Sequence, residues 1–129
     1  MRLAVLLGFS LLLVACGSPQ SPTATFQSML DEFHGHMRWG RFNEASNFIQ
    51  EEDRQDFLGA HEELGDDYQV TEFEIQNVIW DDRTHARVTV WIQSYQLPST
   101  RVDELTWEES WEYEPILRRW QVTERREID

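Results

Sequence analysis

The chain has 129 residues, 40% of them hydrophobic and six of them Trp, which suits one folded domain and excludes a disordered tail. Its 24 acidic residues oppose 11 basic ones, every one an Arg, so tight nucleic-acid binding through phosphate neutralisation is disfavoured. A single Cys excludes an internal disulfide framework and any two-Cys metal or redox motif.

Arg2 precedes an apolar run from Leu3 to Leu13 broken only by Gly8 and Ser10, and small residues lead up to Cys16. This is the layout of a secretory signal over residues 1–15. The apolar run is about half of the ~20 residues that a permanent membrane helix needs. Leu13, Val14, Ala15 and Cys16 resemble the lipobox of bacterial lipoproteins. The resemblance implies cleavage between Ala15 and Cys16, diacylation of the Cys16 thiol, acylation of the new amino group, and attachment to a membrane through those chains. Gly17, standing where Asp would retain the protein, is similar to lipoproteins forwarded to the outer membrane. The expected location is therefore the cell envelope, at the outer membrane and facing the periplasm. An ordinary cleaved signal followed by an accidental Cys is the alternative.

Residues 16–25 read as the lipidated Cys and a flexible tether, with no large apolar side chain from Gly17 to Thr25. Phe26, Met29, Leu30, Phe33 and Met37 then recur at helical spacing, and Gly40 stops the pattern. A second helix is predicted from about Arg41 to Gln50, and a third from about Asp53 to Leu64, with Phe57, Leu58, His61 and Leu64 on one side and Gly65 as its cap. After Asp67 the period changes to two. Phe73, Ile75 and Ile79 are predicted to share one strand face. Asp81, Asp82 and Arg83 make a turn, and Ala86, Val88, Val90 and Ile92 alternate with His85, Arg87, Thr89 and Trp91. Beyond a turn at Pro98 and Ser99, Leu105, Trp107, Trp111 and Tyr113 form an aromatic strand face. A last strand is predicted from Leu117 to Thr123, leaving residues 124–129 as a charged tail and residues 26–123 as the domain.

Helices followed by an antiparallel meander predict an α+β domain, with the N-terminal helices packed in the concave face of a curved sheet. The amphipathic helix from Phe26 to Met37, the run from Trp39 to Ala45, and the closing strands ending at Trp120 resemble the NTF2-like (cystatin-like α+β cone) superfamily. That resemblance implies a scaffold shared by isomerases, dehydratases and cyclases and by many noncatalytic binding domains.

In such a cone a carboxylate or His inside an apolar pocket serves as an acid or base. Asp103 and Glu109 share strand parity with Leu105 and Trp107, and His61 on the third helix is the candidate partner base. Against this, a bulge at Glu108 and Glu109 would swing either acid outward. His34 and His36 point about 200° apart on a helix, so they read as surface polar residues, and no metal or cofactor is expected. Eight acids lie between Glu51 and Asp67; they make a solvated face or a docking site for a basic partner. Trp91, Tyr95, Trp107 and Trp111 are the candidate ligand or partner surface, with core packing as the plainer account. Two functions follow. The leading expectation is a noncatalytic domain that binds an envelope protein or a small apolar ligand. The alternative is a small-molecule isomerase or dehydratase using a buried carboxylate. Under the first, Glu109→Gln and Asp103→Asn alter stability only slightly, and Trp120→Ala costs several kcal/mol.

Overall fold

The computed structural model describes residues 21–128; the leader, Cys16 and the start of the expected tether lie outside the described residues. Helix α1 (Pro22–Arg38) is followed by a short α2 (Phe42–Ser46), a 3-10 turn at Glu51–Asp53 and α3 (Arg54–Leu64). Strands β1 (Tyr68–Asp82), β2 (His85–Gln96), β3 (Val102–Glu114) and β4 (Arg119–Ile128) then form one antiparallel sheet in sequence order. This is the α+β order that the change of period predicts.

Helix α1 starts four residues ahead of the expected Phe26, because Pro22 occupies its first turn, where a missing N–H costs nothing and the fixed φ suits a helix. Residues 22–25, read as tether, are thus helix. Phe26, Leu30, Phe33, His34 and Met37 make the buried stripe. The chain leaves α1 through Gly40, whose φ of 69° is left-handed and favours Gly.

The second helix ends at Ser46 instead of running to Gln50. Val122 N donates to Phe48 O at 2.7 Å and Gln50 N donates to Val122 O at 3.1 Å, so this segment pairs with β4 through a parallel bridge at Ile49. Sheet-edge hydrogen bonds replace the helical ones.

Bulges decide which strand residues face inward. Ile75 lies opposite Val90 but Asn77 lies opposite Thr89, so Gln76 is an extra residue in β1. Beyond it the parity flips: Val78 and Trp80 face Val88 and Ala86 on the core side, and Ile79, predicted inward, faces Arg87 on the outer side. On β4, Val122 pairs with Trp111 and Glu124 with Ser110, so Thr123 is extra. The expected bulge at Glu108 and Glu109 is absent from the β2–β3 ladder, which runs in continuous register. Strand β4 begins at Arg119, leaving Leu117 in the preceding turn, and continues to Ile128 paired with Thr106. Residues 124–128 are thus sheet, not tail.

The main core joins the α1 stripe to Ala45, Phe48, Ile49, Ala86, Val88, Trp111, Trp120 and Val122. A second cluster of Val70, Val90 and Ile92, flanked by Phe73 and Trp107, fills the neighbouring part of the sheet.

Candidate functional site

Continuous alternation along β3 carries Glu109 onto the core face beside Trp107 and Trp111, opposite Val88 on β2 and Arg125 on β4. Its carboxylate is fully buried. Oε1 accepts a hydrogen bond from Trp111 Nε1 at 3.2 Å, and Oε2 accepts one from Arg125 Nε at 3.0 Å. His34, 1% exposed, brings Nε2 to 2.9 Å from Oε1 without a hydrogen bond of good angle. Its other nitrogen, Nδ1, donates to Leu30 O at 2.8 Å. The Arg125 guanidinium lies over the Trp107 ring, 4.9 Å from its centroid.

Burial by itself pushes the Glu109 carboxyl up. The close approach of His34, then the charge of Arg125 and the Trp111 N–H, outweigh it and hold the group at about 2. A carboxylate so stabilised is a poor base near neutral pH. Among the described residues, none of the four principal clefts is lined by Glu109.

The other two candidate acid–base residues lie elsewhere. Asp103 sits six residues along β3, roughly 20 Å away at strand spacing. It pairs with Arg101 Nη2 at 2.7 Å beside the β2–β3 turn, rather than in aromatic surroundings. His61 is half-buried on α3 between the rings of Phe42 and Phe57, at centroid distances of 4.3 and 4.4 Å. Its Nδ1 donates to Phe57 O at 2.8 Å. Burial pushes its pKa down, the Phe57 carbonyl pushes it up, and the positive charge of Arg125 lowers it further. Asp103, Glu109 and His61 are not brought together as one site.

The proposed aromatic surface also divides. Trp107 and Trp111 pair with Val90 and Ala86 on the core face, whereas Trp91 and Tyr95 pair with Thr106 and Val102 on the outer face. Successive strand residues point to opposite faces, so these four side chains form no common groove. A different concavity does exist. An open cleft of about 670 Å³ lies between the end of α1, α3 and the start of β1, lined by Trp39, Phe42, His61 and Tyr68 with Glu62 and Asp66.

Two members of the buried cluster depart from expectation. His34, read as a surface residue, shares the stripe of Leu30 and Met37, and that spacing was the available signal. Arg125, assigned to the tail, is turned inward only by the bulge at Thr123. His36 diverges from His34 as helix geometry requires, with Nε2 3.7 Å from Glu32 Oε1.

No family model matches the chain, and no curated protein matches it. Among solved structures it is similar to a domain of unknown function with a cystatin-like fold from Nostoc punctiforme, with a TM-score of 0.63, 16% identity, and coverage of 77% of this chain and 74% of that one. It is also similar to a SEC-C motif containing protein from Rhodopseudomonas palustris, with a TM-score of 0.62, 13% identity, and coverage of 84% and 80%. The intermembrane space region of the chloroplast protein ARC6 matches with a TM-score of 0.56, 13% identity, and coverage of 85% and 98%. Likeness at these identities concerns the fold alone. Helices on one face of a four-stranded antiparallel meander, together with the Nostoc neighbour, make this chain an α+β domain of cystatin-like fold.

Proposed function

We propose that the chain is a lipid-anchored protein of the bacterial cell envelope, held at the outer membrane by acylated Cys16, whose folded part is a noncatalytic binding domain facing the periplasm. The anchor is supported by the short apolar leader and by Leu13, Val14, Ala15 and Cys16. The observation that carries the binding half is the condition of Glu109. The carboxylate best placed for chemistry is enclosed by His34, Trp111 and Arg125 and held ionised, so it serves the fold. The cleft below Trp39, which is 68% exposed, is the better candidate for the envelope protein or small apolar ligand. It lies at the end of α1 remote from Pro22.

Intact-mass analysis of the membrane fraction tests the anchor. Wild-type chain is expected to begin at an acylated Cys16, and Cys16→Ser to remain an unprocessed precursor; an unmodified Cys16 at the membrane ends this half of the reading. Carboxyl NMR tests the other half: a Glu109 signal titrating above pH 6 would return it to the role of base and favour an isomerase or dehydratase.

A further inference from the structure

We propose that the end of the domain carrying Ile116 and Leu117 docks on the lipid surface itself, with these two side chains entering the interfacial layer. This rests on the lipid-anchor reading and specifies how the anchored domain stands.

The sheet places three features at one end. Asp82 pairs with His85, His85 with Glu112, and Glu114 with Arg119, so the β1–β2 and β3–β4 turns lie side by side. The N-terminus of α1 joins them, because Trp120 Nε1 donates to Pro22 O at 2.8 Å. Cys16 precedes Pro22 by six residues, which reach at most about 20 Å when fully extended. Helix α1 alone is roughly 25 Å long. A bilayer holding the acyl chains of Cys16 is therefore within about 20 Å of this end, which can reach it directly.

What this end presents suits lipid. Ile116 is 88% exposed and Leu117 57%, side by side at the tip of the β3–β4 turn. The tip is shaped by Leu117 N donating to Glu114 Oε2 at 2.6 Å, which turns that acid back to the loop. Trp80, packed on Phe26 and Trp120, leaves part of its ring exposed at the same end. Trp at a membrane interface places an amphipathic ring at headgroup level.

Charge agrees with this placement. From Pro115 to Arg119 the chain has no acid and two Arg, in a protein of net charge −13. Arg118 is exposed beside Leu117, and Arg83 is exposed at the tip of the neighbouring turn. The nearby acids Asp81 and Asp82 are engaged by Arg87 and His85. Glu112, exposed, faces His85 at 3.7 Å. Aliphatic side chains flanked by Arg can enter the acyl boundary while the guanidinium groups meet headgroup phosphates.

The test uses the full lipidated chain in vesicles of phosphatidylethanolamine and phosphatidylglycerol, with a nitroxide label at Ile116→Cys or, at the opposite end of the sheet, at Ser99→Cys. The expected result is that the label at 116 loses accessibility to a water-soluble nickel relaxation agent and gains accessibility to oxygen, whereas the label at 99 remains aqueous. Intact mass on the same samples reports the lipid at Cys16. A lipidated chain with an aqueous label at 116 overturns the docking and leaves the anchor standing. An unmodified Cys16 overturns both.

Discussion

His34 Nε2 lies 2.9 Å from Glu109 Oε1, and neither side chain is more than 1% exposed. A helix His and a strand carboxylate thus meet inside the core, with Arg125 closing the other side of the carboxylate at 3.0 Å. The buried carboxylate is tolerable there because these partners are present.

Glu109→Gln therefore does more than the slight perturbation its sequence context suggests, since it takes from the Arg125 guanidinium the carboxylate that it pairs with and leaves a buried amide beside His34. The expected loss in denaturant unfolding is about 3–5 kcal/mol. Apolar replacement of the whole cluster (His34→Phe, Glu109→Leu and Arg125→Met) should recover most of it. A loss below about 1 kcal/mol for Glu109→Gln would mean that Arg125 is solvated in the folded state. The sign of the pH dependence follows from the depressed carboxyl. Its stabilising contribution is fully present above 4.5, the ordinary value, and is lost as pH falls towards about 2. The advantage of wild type over Glu109→Gln should shrink across that window, and a constant gap would contradict an ionised Glu109.

The two imidazoles at His61 and His85 should titrate on opposite sides of 6.5. Burial holds His61 below that value. The Asp82 carboxylate, which accepts a hydrogen bond from His85 Nδ1 at 2.9 Å, pushes His85 above it. Proton NMR of the ring signals checks the order, and Asp82→Asn should return His85 towards 6.5. Reversal of the order would remove His61 as a neutral group in the cleft at pH 7.

Deleting Gln76 should be far more damaging than substituting it with Ala. The deletion removes the bulge, so Val78 and Trp80 would turn outward and Ile79 inward. Circular dichroism and denaturant unfolding should show loss of cooperative folding for the deletion. Gln76→Ala, at an exposed position, should stay within about 0.5 kcal/mol of wild type. Equal behaviour of the two variants would show that β1 register does not depend on this residue.

Trp120→Ala should cost about 3–5 kcal/mol, because the ring is fully buried among Phe26, Trp80 and Tyr113. Trp120→Phe retains much of the packing but removes the donor to Pro22 O. It should lose less overall, with amide exchange rising in the first turn of α1. An unchanged exchange rate there would mean that the indole hydrogen bond does not hold the N-terminus.

Local chemistry made much of this fold legible. The stripe from Phe26 to Met37 and the alternation from Ala86 to Ile92 each place one apolar face against the core, because helix and strand periods are properties of the backbone. Strand parity alone puts Glu109 on the β3 face of Trp107 and Trp111 for the same reason. The identity of its partners was not legible, because a carboxylate on an aromatic strand face suits either a base or an ion pair.

By itself the sequence determined the order of helices and strands and the change of period after Asp67. Those depend on neighbouring residues. Only tertiary structure decided that Thr123 bulges out and turns Arg125 towards Glu109, that Gln76 exchanges Ile79 for Val78 and Trp80, and that Phe48 leaves its helix to pair with β4. A bulge or an edge bridge is selected by what lies across the ladder, so its cause is a partner strand or loop distant in sequence.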